Sequence, residues 1–347
     1  MSEPSAAQPV LLAAVQDSPP SFDLQGALVA LRDLASKAAA KARALHATAP
    51  LLIVFPEAFL SAYPRGSTFG AKIGSRTPEG RAWFERYHSS CVPVADTEGP
   101  VMSQIRSVAR ENNATLVVGV VERCDCPETG KRRSEYGSAN PGGAGTLYCT
   151  SLTISPSGEL LVAHRKLMPT GTERLVWGFG DGAGIRVVPT PAGRVGACIC
   201  WENYAPLHRA ALYSEGVELY CAPTADARET WPPSMQHIAQ EGRCFVVSVN
   251  QFNTRAHFPD DYPSADPELK DAAPDQIVTK GGSCIVGPLG EFLAGPLWNE
   301  AGILTALVDK ADIVRAKMDF DAMGHYSRPD VFGLRWDRRS KGQVEDL

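Results

Sequence analysis

The feature that most constrains the fold is a repeated alternation between short apolar runs and helical segments. Val10–Gln16 has the pattern of a buried strand, and Asp23 is placed to cap a long Ala-, Leu- and Lys-rich helix that runs toward Ala47. Leu51–Phe55 follows as a second apolar strand. Strand, helix and strand in this order predict a βαβ unit.

The alternation continues along the chain, so we expect an α/β fold. Further strands are predicted at Thr115–Glu122, Thr146–Ile154, Glu159–His164, Val195–Cys200, Leu219–Ala222, Phe245–Asn250, Ser283–Val286 and Ile303–Val308. Further helices are predicted at Trp83–Ser89, Pro100–Asn112, Pro206–Glu215, Trp231–Gly242 and Asp309–Met318. The turn residues Ser155–Gly158 make the second and third of these strands a hairpin. The 347 residues exceed the usual size of one core, but α/β architectures often reach this length as a single domain, which we expect here.

Cys200 is the strongest candidate nucleophile. It stands where the apolar run Val195–Cys200 ends and before the helix that opens at Pro206. A thiol at a strand-to-helix turn points out of the sheet, and nearby backbone N–H groups, beginning with that of Trp201, can hold an anion formed by attack on an electrophilic carbon. The alternative is a buried structural cysteine, which is the more common role of a free thiol.

Glu57 and Lys166 also follow predicted strands directly. Glu57 comes after the apolar run LLIVFP, and Lys166 comes after the strand that ends at His164. In open α/β sheets the functional crevice lies beyond the carboxyl ends of the strands, so these residues and Cys200 are expected to share one crevice. A lysine beside a thiol favours the thiolate. Taken singly, each is more often a solvated surface charge.

Composition excludes several classes of function. A net charge of -5, without a cluster of Lys and Arg among aromatics, gives no footprint for nucleic acid. No segment has the unbroken apolar length of a membrane span, and nine dispersed cysteines are typical of reduced thiols, so we expect a cytoplasmic protein. Cys124 and Cys126 have the wrong spacing for zinc, and the glycines from Gly178 to Gly184 do not follow a strand, so neither a metal nor a dinucleotide cofactor is predicted.

Several segments are expected to lie outside the core. The polar residues 125–145 and the proline-rich residues 253–280 are interpreted as surface excursions. Residues 325–339 carry aromatics without a clean period, and we expect them to pack on another subunit. His237 and His325 have no spacing that links them to Cys200 and are interpreted as structural or interfacial. Cys198 alternates with Cys200 along the predicted strand, which makes it a possible neighbour of the site.

The flanks of the three candidate residues are long and specific. They read FPEAFLSAYPRG, HRKLMPTGTERLVWGFGDG and GACICWENYAPLHRAALYSEGVELYCAPTAD, the last followed by SMQHIAQEGRCFVVSVNQF. Together they resemble the nitrilase branch of the carbon-nitrogen hydrolase superfamily, over nearly the whole chain from the first strand to HYSRPDVF. This resemblance implies a four-layer α-β-β-α sandwich, a carbon-nitrogen hydrolase domain over residues 1–320 and a tail at 321–347 at a subunit interface. It also implies a homodimer that extends into spirals.

The same resemblance assigns roles to individual residues. Glu57, Lys166 and Cys200 match the Glu-Lys-Cys triad of the family, and Glu173 matches its second glutamate. Glu57 would accept the proton of the thiol, which adds to the nitrile carbon, while the lysine and backbone amides hold the developing nitrogen anion of a thioimidate. Ammonia then leaves, a thioester remains and water releases the acid, with no metal or organic cofactor.

The resemblance also bears on the substrate. Tyr63, Trp177 and Trp201 match positions that line the family's pocket, and three aromatics suit an apolar organic nitrile better than hydrogen cyanide. The string from Cys200 to Asn203 is similar to nitrilases and cyanide hydratases rather than to amidases. Nitrile hydrolysis to acid and ammonia is therefore expected. The alternatives are an amide-forming, cyanide hydratase-like activity at the same site, an amidase, and a non-catalytic binding protein on this fold.

Overall fold

The computed structural model describes residues 8–124 and 145–340. Two mixed β-sheets lie face to face, and helices cover the outer side of each sheet, so the chain forms four layers in the order α-β-β-α. The predicted α/β sandwich is confirmed.

Thirteen strands and seven α-helices are found among the described residues. The strands are β1 Pro9–Gln16, β2 Leu51–Val54, β3 Thr115–Arg123, β4 Leu147–Ile154, β5 Leu160–Arg165, β6 Val187–Thr190, β7 Gly193–Ala197, β8 Leu219–Thr224, β9 Phe245–Asn250, β10 Phe252–Thr254, β11 Ile277–Val286, β12 Phe292–Trp298 and β13 Gly302–Asp309. The helices are α1 Leu24–Arg43, α2 Pro78–Ser89, α3 Pro100–Glu111, α4 Pro206–Ser214, α5 Trp231–Gly242, α6 Pro267–Lys270 and α7 Ala311–Ala316.

The first sheet has the order β13-β1-β2-β3-β4-β5, with β1, β2 and β3 parallel and the other pairs antiparallel. The predicted βαβ unit is its centre, because α1 connects the parallel strands β1 and β2. Asp23 caps this helix by accepting a hydrogen bond from the Gly26 N–H at 2.9 Å. The predicted hairpin is formed by β4 and β5.

The second sheet has the order β10-β11-β9-β8-β7-β6, and β12 pairs with β11. Its centre is again parallel, since β7, β8 and β9 run in the same direction. Two parallel units with crossover helices thus provide the central strands of the two halves of the sandwich.

The core follows the two-residue period of the strands. The odd-numbered residues of β1 pack with α1 and α3 on the outer side of the first sheet, whereas its even-numbered residues pack against the second sheet. A third apolar cluster joins the second sheet to α4 and α5. Burial on both faces explains why these strands read as continuous apolar runs rather than as alternating ones.

One close approach of backbone to backbone positions the loop after β2. Gly119 lies in the middle of β3, and a Cβ atom there would stand 2.2 Å from the carbonyl oxygen of Pro56 and 2.7 Å from the Cα of Glu57. Only glycine allows this contact, so the absence of a side chain at residue 119 lets Glu57 lie directly against the sheet.

Two sequence-based expectations about elements were wrong. Residues 253–280 are not wholly a surface excursion, because Ile277–Val286 forms a ten-residue strand of the second sheet. The alternation that predicts this strand was hidden by its paired glycines, Gly281 and Gly282, and by the polar residues before it. The strand before Cys200 also ends earlier than expected, at Ala197.

The remaining expectations about organisation stay predictions. Most of the polar segment 125–145 and the end of the tail, residues 341–347, lie outside the described residues. The domain boundary at residue 320 is not tested. Within the part of the chain that is described, the helices are all too short or too polar to cross a membrane.

Candidate active site

A buried lysine between two carboxylates forms the centre of the site. Lys166 immediately follows β5, and its Nζ donates to Glu57 Oε1 at 2.7 Å and to Glu173 Oε2 at 2.8 Å. Glu57 and Lys166 have no exposed surface, and Glu173 is 9% exposed. Buried charges are tolerated when they are paired and hydrogen-bonded, as they are here.

Glu57 keeps one oxygen without a partner. Its Oε1 accepts from Lys166 and, at 3.4 Å, from the thiol of Cys149, whereas no hydrogen bond reaches Oε2. Its backbone is held by Gln251, which donates to the Glu57 carbonyl at 2.8 Å. Burial raises the pKa of Glu57, and the positive charge of Lys166 opposes that rise. A buried carboxylate with a raised pKa is a stronger base than an exposed one, so Glu57 is suited to accept a proton.

The charge on Lys166 is secured by its neighbours. Burial alone would lower its pKa, but the negative charges around it, that of Glu57 first, raise the pKa well above the ordinary value. The side chain therefore remains an ammonium. It also lies 5.9 Å from the centre of the Trp177 ring.

Cys200 opens a single 3-10 turn, Cys200–Tyr204, and its backbone is left-handed, with φ of +49°. A non-glycine residue in this region stores strain, which is typical of functional positions. Its Sγ accepts a hydrogen bond from the Thr224 hydroxyl at 3.2 Å. Burial, followed by the charge of Glu57, raises the pKa of the thiol to about 12, while Lys166 opposes the rise. The resting group is a thiol that needs a base.

Cys198 is not a neighbour of the site in the way the sequence indicated. It packs in the apolar cluster beneath α4 and α5, whereas Cys200 belongs to a separate cluster with Cys149 and Trp177. The alternation used to place it fails because the strand ends at Ala197 and the backbone turns at Cys200.

Cys200 and Glu173 open onto a cavity of about 610 Å³. Tyr63 and Trp201, both predicted to contact substrate, line this cavity. The Tyr63 hydroxyl donates to Glu173 Oε1 at 2.6 Å, which ties the cavity wall to the ion-pair cluster. Other residues of the wall are Arg65, Thr170, Ala225, Asp226, Ala227, Arg228, Ile277, Val278, Lys280 and Asn299.

Trp177, the third predicted contact residue, lies one layer behind the wall. It is 2% exposed, its ring packs edge-on against Tyr63 with the centroids 5.6 Å apart, and its Nε1 donates to the Tyr87 hydroxyl at 3.2 Å. Trp177 therefore supports Tyr63 and Lys166 from beneath instead of lining the cavity.

Several residues of the site were missed by sequence reasoning. The sequence does not single out Cys149, yet its thiol donates to Glu57 Oε1 at 3.4 Å. Asp226 accepts a hydrogen bond from Trp201 Nε1 at 2.8 Å and forms an ion pair with Arg228, so it fixes the exposed tryptophan at the mouth of the cavity. Asp226 ends the quoted flank of Cys200, and its place two residues after the end of β8 is the signal that could have identified it.

His237 and His325 lie away from the active-site cavity. His237 is an exposed residue of α5, and neither it nor His325 lines the cavity, so no Cys-His pair forms. Three other residues could offer ligands to a metal ion, because donor atoms of His164, Glu202 and His208 lie within 4.8 Å of one another. All three are buried beside the turn that carries Cys200.

A buried thiol beside a carboxylate and an ammonium, at the carboxyl ends of strands in an α-β-β-α sandwich, is an arrangement typical of enzymes that use a cysteine nucleophile. Residues 11–318 match the family described as carbon-nitrogen hydrolase. The chain belongs to this family.

The similar proteins include several that are named as nitrilases. The chain is 48% identical over 295 residues to nitrilase 2 of Arabidopsis thaliana, covering 84% of this chain and 80% of that protein. It is 44% identical over 336 residues to a bifunctional nitrilase/nitrile hydratase of Nicotiana tabacum, covering 96% of this chain and 88% of the relative. The resemblance to the nitrilase branch is confirmed.

The fold also agrees with solved structures. A carbon-nitrogen hydrolase from Helicobacter pylori superposes with a TM-score of 0.65 at 18% identity, over 94% of this chain and 97% of that one. At this identity the likeness establishes the fold alone.

Proposed function

We propose that the protein hydrolyses an organic nitrile to the carboxylic acid and ammonia, with Cys200 as nucleophile, Glu57 as general base and Lys166 as the group that holds developing negative charge. The observation that carries the proposal is the bridge made by Lys166 between Glu57 and Glu173, next to a thiol that opens onto the same cavity. The relatedness to nitrilases supports the choice of a nitrile.

The first step is the addition of the Cys200 thiol to the nitrile carbon. Because the pKa of this thiol is raised to about 12, it does not ionise by itself at neutral pH. Glu57 accepts the proton and passes it to the nitrile nitrogen, so the S–H bond breaks, the S–C bond forms and a neutral thioimidate results. Oε2 of Glu57, which has no hydrogen-bond partner, is the oxygen with capacity for this proton.

Water completes the reaction in two stages. Water adds to the carbon-nitrogen double bond of the thioimidate, with its hydroxyl on carbon and its proton on nitrogen, and Lys166 stabilises the tetrahedral species. The carbon-nitrogen bond then breaks, ammonia leaves and a thioester remains. A second water cleaves the thioester, which releases the acid and returns the proton to the thiol.

Glu173 holds the rest of the constellation in place. Its Oε2 accepts from Lys166 and, at 2.6 Å, from the backbone N–H of Thr170, while Oε1 accepts from Tyr63. We assign Glu173 the role of fixing the Lys166 ammonium and the cavity wall relative to Glu57, because Glu57 alone suffices for the proton transfers.

The cavity supports an organic nitrile rather than hydrogen cyanide. Its volume of about 610 Å³ lies within the range of small-molecule sites and is far larger than hydrogen cyanide requires. Tyr63 and Trp201 supply aromatic surface, while Arg65, Arg228 and Lys280 add charge to the wall. We therefore expect the cavity to bind a nitrile with an apolar body and to accept polar substituents on it.

A second candidate activity is amide formation at the same site, which the relative named as a bifunctional nitrilase/nitrile hydratase favours. The tetrahedral species carries both the amine and the sulfur of Cys200. Expulsion of the amine gives the acid, whereas expulsion of the thiol gives the amide, so the same residues serve both outcomes.

Product analysis tests both candidates. Ammonia, acid and amide are quantified from phenylacetonitrile, benzonitrile, an aliphatic nitrile and cyanide, with Cys200→Ala as the control. We expect acid and ammonia from an organic nitrile and no product with the variant. Amide alone would make the protein a hydratase, and reaction with amides but not with nitriles would overturn the proposal.

We also propose that the protein pairs with a second copy through α4 and the adjoining tail. Leu207 of α4 is 72% exposed, and Val331 and Phe332 of the tail are 58% and 77% exposed. Analytical ultracentrifugation of the protein and of Leu207→Asp tests this, since a monomer in both cases would contradict it. A spiral assembly and a cytoplasmic location stay predictions.

A further inference from the structure

Glu202 is a buried carboxylate that the proposed mechanism does not use. It lies in the turn Cys200–Tyr204, is 6% exposed, and does not line the active-site cavity. It borders instead a separate apolar cavity of about 750 Å³, with Leu207 and Trp336 among the lining residues. A buried carboxylate costs free energy unless it is compensated, so its partners indicate what it does.

Both oxygens of Glu202 accept hydrogen bonds from the backbone. The N–H of Ile199 donates to Oε2 at 2.8 Å, and the N–H of Leu167 donates to Oε1 at 2.6 Å. Ile199 is the residue before Cys200, and Leu167 is the residue after Lys166. One carboxylate thus joins the two chain segments that carry the nucleophile and the ammonium.

His164 adds a third contact to the same group. Its Nε2 lies 3.0 Å from Glu202 Oε2, and it belongs to β5, two residues before Lys166. Burial alone would raise the pKa of Glu202, but His164, His208 and the hydrogen bonds lower it to about 2. Glu202 is therefore an anion throughout the neutral pH range, and both of its oxygens can accept hydrogen bonds.

His208 lies beside this group without joining it. Its Nδ1 is 3.8 Å from Glu202 Oε1, beyond hydrogen-bond distance, and neither ring nitrogen has a partner. Burial lowers the pKa of His208 to about 4, so the ring is neutral at pH 7. Since two backbone N–H groups already occupy the carboxylate, the cluster is better explained by hydrogen bonding than by a metal ion.

We infer that Glu202, oriented by His164, is a positioning residue that fixes the backbone of Cys200 relative to Lys166. The left-handed φ of +49° at Cys200 requires such support, because the surrounding structure must hold a strained residue in place. Errors of about 1 Å in the placement of reacting groups cost on the order of 10²-fold in rate. The inference rests on the proposed function for its catalytic consequence.

Glu202→Gln is the direct test. The amide keeps the size of the side chain but offers one acceptor oxygen, so its NH₂ group meets one of the two backbone donors. We expect kcat to fall by about 10²-fold with KM changed by less than about threefold, since the residue lies outside the substrate cavity. Equal rates of Cys200 alkylation by iodoacetamide in this variant and the wild type, with kcat within about threefold, would overturn the inference.

A histidine series keeps the test decisive if Glu202→Gln does not fold. His164→Leu removes the side-chain contact and leaves the backbone contacts, so kcat is expected to fall about tenfold. His164→Gln, which retains a donor, is expected to restore most of that loss. His208→Leu is the matched control, buried in the same cluster without a hydrogen bond, and should keep the wild-type rate. Equal kcat for His164→Leu and His208→Leu would refute the role of His164.

The alkylation rate separates this inference from the proposed function. If the wild-type protein hydrolyses no nitrile but Glu202→Gln still slows alkylation of Cys200, the positioning role stands and the function fails. If nitriles are hydrolysed and the variant changes only the unfolding midpoint, the function stands and the positioning role fails.

Discussion

Arg165 and Lys166 are adjacent in the sequence, and both are buried cations paired with glutamate, but their surroundings differ. Arg165 donates to Glu122 through Nη2 at 2.6 Å and Nε at 3.1 Å, and the Thr150 hydroxyl also donates to Glu122 at 2.8 Å. Both oxygens of Glu122 are therefore occupied. Of the two oxygens of Glu57, Oε1 accepts from Lys166, whereas Oε2 has no partner.

The difference separates a structural ion pair from a reactive one. The bidentate arginine-carboxylate pair, with both carboxylate oxygens occupied, holds strands of the first sheet together. A buried carboxylate oxygen without a partner is energetically costly, and such groups persist where chemistry requires them. Among the two glutamates, Glu57 has spare capacity to take a proton, and its lysine partner lies beside the thiol.

The largest expected effect comes from neutralising each glutamate in turn. Glu57→Gln removes the proposed base, so we expect kcat for nitrile hydrolysis to fall by about 10²–10⁴-fold. Glu122→Gln weakens a structural pair, so the folded molecules should keep kcat within about threefold while unfolding more easily. The rates are measured per folded molecule, counted by the circular dichroism of the same samples. Equal losses of kcat in the two variants would remove the distinction between the pairs.

Replacing the two cations is expected to distinguish the two pairs by stability. Arg165→Met removes the cation that holds the buried Glu122 carboxylate, which is expected to lower the free energy of unfolding by about 3–5 kcal/mol. Lys166→Met should destabilise less, because burial already raises the pKa of Glu57, which can take up a proton instead, and Glu173 keeps its hydrogen bonds from Tyr63 and Thr170.

Urea unfolding monitored by circular dichroism, together with kcat, tests this pair of variants. Lys166→Met is expected to be the inactive one of the two and the more stable. A Lys166→Met protein that unfolds at a lower urea concentration than Arg165→Met would contradict this explanation.

The smallest effect concerns the pH dependence of the reactive pair. Because burial raises the pKa of Glu57, its base form is lost as pH falls through a value above the ordinary 4.5, so kcat/KM should decrease on the acid side from there. The thiol of Cys149 donates to this carboxylate and lowers its pKa. Cys149→Ala should therefore move the acid limb of the kcat/KM pH profile to higher pH and change kcat at the optimum by less than about tenfold.

Cys149→Ser is the matched variant, since a hydroxyl at the same position still donates to Glu57. Its acid limb should lie at or below that of the wild type. If Cys149→Ala and Cys149→Ser shift the limb equally, the contact between Cys149 and Glu57 has no influence on the proton transfer.

Much of the architecture was accessible from the sequence because it depends on local patterns. The strand-helix-strand unit at the start of the chain, the cap at Asp23 and the hairpin after Thr146 each follow from apolar period and turn residues, and all are present. Glu57 and Lys166, over a hundred residues apart, were placed together because strands of one sheet end at the same edge.

The rest depends on tertiary contacts that no local pattern reports. The strand Ile277–Val286 is rich in glycine and polar residues and is stabilised by its place in the second sheet. The partners of Cys149 and Glu202 are set by packing between distant segments, so neither role could be read from spacing. Trp177 was expected at the cavity wall because aromatic character does not reveal which layer a ring occupies.

Gly119 carries a consequence for efforts to alter the substrate range. Mutagenesis campaigns usually target side chains that touch the substrate, and residue 119 has none. Yet any larger residue there would collide with the backbone at Pro56 and Glu57 and displace Glu57, the proposed base. We therefore expect a position in the middle of a buried strand to be as intolerant of change as the proposed catalytic residues, and variants from a saturation library at residue 119 to be almost entirely inactive.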